Sequence, residues 1–183
     1  MKTFPNRQII YVARNPKDVA VSFFHHYRHI VGYEGTQEDF TEAFLHNQVI
    51  YAPFNDHVLD FWNLRSKSNV LFLFYEDMKK NMAKIVEETM KFLEKNYSND
   101  QVMKLCRHLS VESMRANPAC NNDLLVEKAK FLNRNGQISG DFKFIRKGIV
   151  GSYKDEFSQQ VHKKFDAFMQ HPPLKSNQFT YRI

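Results

Sequence analysis

Four side chains in this sequence have the types and spacing to hold an oxyanion. Arg14 directly follows the apolar run Ile9 to Ala13, and Ser22 lies about two helical turns further on. Far downstream, Arg146 and Lys147 stand side by side and run into Gly148 and Gly151. A guanidinium binds a phosphate through a fork of parallel N–H donors, and an ammonium adds a point charge. Glycines let backbone N–H groups approach the same oxygens. The chemistry indicated is the binding of a phosphate dianion by two basic sites. For Arg14 and Ser22 alone, a surface Arg and a helix-satisfied Ser fit equally well.

The elements that must position these groups follow from the apolar pattern. Ile9 to Ala13 carries no polar alternation, which predicts a strand buried on both faces, as in a parallel sheet. Asn15-Pro16 turns the chain, and Pro16 suits a helix start because its missing N–H costs nothing there. The helix is expected to run past Ser22 through Tyr27, with free N–H groups at its beginning. Val70 to Tyr75 is the second buried strand, with Tyr75 at its carboxyl end. Open α/β sheets bind ligands beyond the carboxyl ends of their strands, so Arg14 and Tyr75 are expected on one rim; a Tyr packing under a loop is the simpler alternative for Tyr75.

Thr36-Gln-Glu-Asp39 reads as a capping box, opening a helix with Phe40, Phe44 and Leu45 on one face. Further amphipathic helices are expected over Phe54 to Lys67, Met78 to Lys95, Ser98 to Arg107 and Tyr153 to Met169. Ala119 to Phe142 reads as a long polar loop, with Asn133-Arg-Asn-Gly136 as a turn signal. His25 and His29 share a helix face at a spacing that can bind metal, but no carboxylate or thiol completes the set, so they read as surface or capping histidines.

The strand-turn-helix Val12 to Ser22, the stretch Phe74-Tyr-Glu-Asp-Met78 and the loop Phe144 to Gly151 closely resemble, in order and spacing, the carboxyl-terminal half of the cytosolic sulfotransferase family. The resemblance implies an α/β fold: a partial three-layer, P-loop-NTPase-like arrangement of parallel strands and flanking helices. It implies that residues 1–183 form the carboxyl-terminal part of a sulfotransferase domain. The implied cosubstrate is 3′-phosphoadenosine 5′-phosphosulfate (PAPS), from which a sulfuryl group passes to a hydroxyl or amine of a small acceptor. Carried over residue by residue, donor binding falls to Arg14, Ser22, Tyr75, Ser110, Met114, Phe144, Ile145, Arg146, Lys147 and Gly148. No catalytic residue and no metal ligand is carried over.

This sequence departs from the family pattern in places. Leu109-Ser-Val-Glu-Ser-Met114 keeps Ser110 and Met114, but Leu109 and Val111 stand where the family has Thr and Phe. Ser158, Gln159 and Lys163 stand in the region of the family's dimer motif and degrade it. The family's amino-terminal phosphate loop and its histidine base lie upstream of the first strand. No GxxxxGK[ST] loop occurs in this sequence, and Lys2-Thr3-Phe4-Pro5 is only faintly like the family's Lys-Thr-His-Leu-Pro. The chain is therefore expected to begin mid-domain and to be inactive alone. A noncatalytic nucleotide-binding or interaction fragment is the alternative reading.

Bulk composition agrees with a small-ligand protein. The chain has 183 residues, 43% of them hydrophobic, enough for a core. No stretch reaches the ~18 consecutive apolar residues of a membrane span, and no signal-peptide h-region opens the chain. The two cysteines, Cys106 and Cys120, lack zinc spacing and suit a reducing, cytoplasmic compartment. The formal charge of +6 is spread along the chain without basic and aromatic residues interleaved, which argues against nucleic acid.

Overall fold

The computed structural model describes residues 7–132 and 141–183. Two strands, β1 (Ile9–Ala13) and β2 (Val70–Phe74), pair in parallel, with Ile9 opposite Val70 and Ala13 opposite Phe74. Both therefore end on the same rim, followed by Arg14 and by Tyr75. β1 leads into α1 (Pro16–His26), whose start is fixed by the Asn15 side chain accepting from the Lys17 N–H. One turn of π-helix, Tyr27–Val31, extends it and closes at Gly32. The Thr36 capping box opens α2 (Gln37–Leu45), as its sequence predicts.

One face of the sheet is aromatic. Tyr11 stacks on Phe61 of α3 (Phe54–Asn63), and the Trp62 ring meets Phe72 and Phe74 edge-on. The C-terminal tail seals this layer, with Phe179 against Phe74 and the Trp62 indole donating to the Asn177 carbonyl. After β2 come α4 (Tyr75–Lys80) and α5 (Met82–Phe92), the latter packed against β2. Next are α6 (Asn99–His108), α7 (Val111–Ala116) and α8 (Asp123–Leu132). A 3-10 turn at Ser152–Asp155 precedes α9 (Gln159–Met169) and α10 (Pro172–Ser176). Ala20, Phe44, Val161 and Phe165 from α1, α2 and α9 form a second core.

Several expectations need correction. β1 is not buried on both faces: Ile10 and Val12 are 43% and 44% exposed. Among the described residues β2 is its one sheet partner, so one edge of β1 lies open as well. Tyr75 is the first residue of α4 instead of the last of β2. The helix expected over Met78 to Lys95 breaks at Asn81, whose side chain accepts from the Lys84 N–H and starts α5 afresh. Helix α3 ends at Asn63, short of Lys67.

The polar segment after Ala119 contains α8, held by Val126 and Ala129, which are buried and three residues apart on one face. That pair is too short a stripe to stand out of the charged residues around it. Ser158 caps α9, separating it from the 3-10 turn that holds Tyr153. The turn signal at Asn133 to Gly136 and the Lys2-Thr3-Phe4-Pro5 segment lie outside the described residues.

An open strand edge with exposed Ile10 and Val12 favours pairing between copies. Replacing both by Lys should lower self-association, seen as a smaller mass by light scattering after size exclusion. Folding stability should change by no more than about 0.5 kcal/mol per site, because neither side chain is in the core. A native chain that stays monomeric at high concentration would contradict this.

Candidate functional site

The rim beyond β1 is built around a buried carboxylate. Asp18, in the first turn of α1, is 0% exposed. Its carboxylate accepts from the Gly151 N–H (2.8 Å), the Ser152 hydroxyl (2.9 Å) and the Tyr153 N–H (3.3 Å), and Arg14 Nη2 lies 3.7 Å away. The segment after the basic loop is thus bound to the helix that follows β1. Asn15 ties the same turn elsewhere: its N–H donates to Glu76 at 2.8 Å, and its side-chain amide donates to the Arg182 carbonyl. Burial pushes the Glu76 carboxyl up from its ordinary value.

Arg14 is held on three sides. Its Nη2 donates to the Ile149 carbonyl at 3.0 Å, and its guanidinium lies 4.2 Å over the Tyr75 ring. Half-burial raises the Tyr75 pKa, against the pull of Arg14. Arg14 Nε is buried and has no acceptor among the described residues. Ser22 shares with Arg14 and His26 the wall of an open groove of about 620 Å³, lined largely by apolar and aromatic side chains such as Val19, Phe23, Phe54 and Val58.

The basic loop is pinned on both sides of its cations. Arg115 of α7 donates to the Ile145 carbonyl at 2.9 Å. Gly148 has φ +64°, and a Cβ there would sit 2.4 Å from Val111 Cγ2. Only glycine fits that close, left-handed position. Val111, the residue that departs from the family pattern, is thus the one that seats the loop. Ser110 caps α7 by accepting from the Ser113 N–H, and the Met114 carbonyl accepts from Cys120 Sγ. The Phe144 ring meets His26 edge-on.

Arg146 Nη1 and Lys147 Nζ both reach Glu156, at 3.0 and 3.3 Å. The same carboxylate takes His25 Nε2 at 3.1 Å and Gln37 Nε2 at 3.4 Å. Burial alone would raise the Glu156 pKa, but the hydrogen bonds from His25 and Arg146 and the Arg146 charge outweigh it and hold the carboxyl below its ordinary range. Arg146 Nε, like Arg14 Nε, is buried without an acceptor among the described residues. His25 is therefore a partner of this cluster and not the surface or capping residue expected, and its ring stacks on that of His29. No metal-binding group of three His, Cys, Asp or Glu side chains exists among the described residues.

The structure joins Arg14, Tyr75 and the end of the basic loop directly, and seats Gly148 on α7. Asp18 and Glu156 were not singled out in the sequence. For Asp18 a signal existed, an acid in the first turn of a helix and four residues after Arg14. For Glu156 none did, because its four partners come from three separate places along the chain.

This arrangement has close parallels. A family model described as the sulfotransferase domain matches residues 2–178. The chain belongs to the sulfotransferase domain family. Among curated sulfotransferases, it is 38% identical to the luciferin sulfotransferase of Photinus pyralis over 162 residues, covering 87% of this chain and 42% of that one. It is 37% identical to human sulfotransferase 1E1, covering 87% of this chain and 52% of the relative. The chain thus spans about half the length of these sulfotransferases. Among solved structures, retinol dehydratase in complex with androsterone and the inactive cofactor PAP superposes with a TM-score of 0.83 at 32% identity, over 95% of this chain and 49% of that one. Mouse sulfotransferase SULT7A1 complexed with PAP gives 0.76 at 29% identity, over 94% and 60%.

Two outcomes follow from this geometry. Asp18→Ala should cost about 3–5 kcal/mol in urea unfolding, because it leaves buried N–H groups and a cation unpaired. A loss within the range of a surface substitution would show that the clamp does not hold the rim. Folding lowers the Glu156 pKa, so its contacts contribute fully above the unfolded-state value, and that contribution is lost as pH falls through the lower folded value. The stability gap between the native chain and Glu156→Gln should be widest near neutral pH and close on acidification; a gap that widens in acid would reverse the assignment.

Proposed function

We propose that this chain binds the donor of a sulfuryl transfer, PAPS, and that its residues 1–183 serve as the carboxyl-terminal part of a sulfotransferase domain. The observation that carries this is the pair of buried, acceptorless Nε atoms on Arg14 and Arg146. Buried polar groups without partners are costly, and two guanidinium Nε atoms lacking acceptors among the described residues at one rim call for an oxyanion. Arg14 bonds Ile149, three residues beyond Arg146, so both belong to one cradle. Structural neighbours bound to PAP, which has a 3′-phosphate, support the same ligand chemistry here.

In this reading Arg14, Arg146 and Lys147 neutralise the 3′-phosphate, while backbone N–H groups at Gly148 close on it. Tyr75, half-buried beneath Arg14, offers a ring to the nucleotide side, with Ser110, Met114, Phe144 and Ile145 forming the loop and helix beyond. Ser22 supplies a hydroxyl on the groove side. Bound there, the donor provides the sulfuryl group that passes to a hydroxyl or amine of a small acceptor. Androsterone and retinol, named with the retinol dehydratase structures, are acceptor-sized ligands of that protein and support an apolar small molecule. Two free cysteines accord with a cytoplasmic setting.

Titration calorimetry with adenosine 3′,5′-bisphosphate and adenosine 5′-monophosphate tests the proposal. The bisphosphate should bind more tightly. Arg146→Ala should remove about 1.5–3 kcal/mol of its binding per lost charged hydrogen bond. That is roughly ten- to hundredfold in affinity, with much less effect on the monophosphate. Arg146→Lys should recover only part, lacking the fork. Equal weakening of both ligands would remove the 3′-phosphate assignment.

A further inference from the structure

Glu156 occupies an unexpected place for an anion site, because a carboxylate beside two phosphate-binding cations should weaken them. The geometry resolves this. Glu156 takes Nη1 of Arg146 at 3.0 Å and leaves Nε, which is buried and has no acceptor among the described residues. A carboxylate competing with the ligand would sit on the Nε edge, where an oxyanion receives two parallel bonds.

The carboxylate is itself held in place. His25 of α1 and Gln37 at the start of α2 reach it at 3.1 and 3.4 Å, from elements outside the basic loop. Burial lowers the His25 pKa more than the Glu156 hydrogen bond raises it, while Glu156 stays ionised. Near neutral pH a neutral imidazole facing a carboxylate must donate, so Nε2 carries the hydrogen. The loop backbone is fixed independently, by Arg115 on the Ile145 carbonyl and by Gly148 against Val111. What Glu156 adds is the direction of a long cationic side chain.

We infer that Glu156, braced by His25 and Gln37, is a positioning residue that anchors one end of the Arg146 guanidinium and aims its Nε edge at the 3′-phosphate of the donor. This rests on the donor-binding reading above. Arg146 and Lys147 already compensate the Glu156 charge, so repulsion of the ligand is offset. Freeing Arg146 leaves the same charge to be ordered by the ligand itself, and that ordering reduces affinity.

The experiment is a double-mutant cycle on the 183-residue chain, read as the affinity ratio of adenosine 3′,5′-bisphosphate to adenosine 5′-monophosphate. Glu156→Gln keeps the shape and removes the charge, and it should lower the ratio about tenfold. In a background with both Arg146 and Lys147 replaced by Ala, so that neither cation held by Glu156 remains, the same change should have almost no effect on the ratio, whereas a general loosening of the fold would weaken both ligands in either background. Glu156→Asp, which keeps the charge but withdraws it, should fall between; it carries the comparison if the Gln variant does not fold. An unchanged or higher ratio for Glu156→Gln, with Arg146→Ala still weakened, overturns the positioning role and leaves the donor site standing. A native chain without preference for the bisphosphate overturns both.

Discussion

The rim of this molecule depends on one fully buried carboxylate. Removing the Asp18 charge from water costs several kcal/mol, which must be returned by well-placed partners. Two backbone N–H groups, a hydroxyl and the nearby Arg14 supply them. These partners lie more than a hundred residues from Asp18 apart from Arg14 itself, so the bond network is also the chief tie between the β1 turn and the loop after Arg146. Because Asp18 sits four residues beyond Arg14 on the chain, the same carboxylate that fixes the loop also restrains the arginine.

Charge at the site is arranged in two matched units. Arg14 stands with Asp18, and Arg146 with Lys147 stands with Glu156. Each carboxylate engages a terminal nitrogen of its arginine, and each arginine keeps a buried Nε without an acceptor among the described residues. A rim built this way presents directed donors without a large unbalanced positive field. It accords with a compact dianion as ligand better than with a long polyanion, whose binding is driven by many charges at once.

The rim needs a stiff support, and aromatic packing provides it. Tyr11, Phe72 and Phe74 meet Phe61 and Trp62 from α3, and the tail closes over them through Phe179 and Tyr181. The tail returns to the site as well: the Arg182 carbonyl accepts from Asn15, and its guanidinium lies over Phe74. Burial drives the Tyr181 hydroxyl far above its ordinary pKa, and it remains a donor to Asn55. Residues remote in sequence thus hold the turn that carries Arg14.

The sequence by itself determined the two parallel strands, the Pro16 helix start, the Thr36 capping box and the pairing of adjacent cations with glycines at Arg146 and Lys147. Each of these rests on local chemistry: an apolar run, an imino ring that suits a helix start, a hydroxyl three residues from an acid, and adjacent cations before glycine. Family kinship was legible for the same reason, since its motifs are short and contiguous. The exposed face of β1 was not legible, because burial depends on what neighbours a strand and not on its own residues. Helix α8 was hidden because only Val126 and Ala129 of its residues are buried, too few for a periodic signal. The surroundings of Glu156 were decided by tertiary structure alone: His25, Gln37, Arg146 and Lys147 meet there only after α1, α2 and the basic loop have packed together, and no spacing along the chain encodes a carboxylate's distance to four such donors.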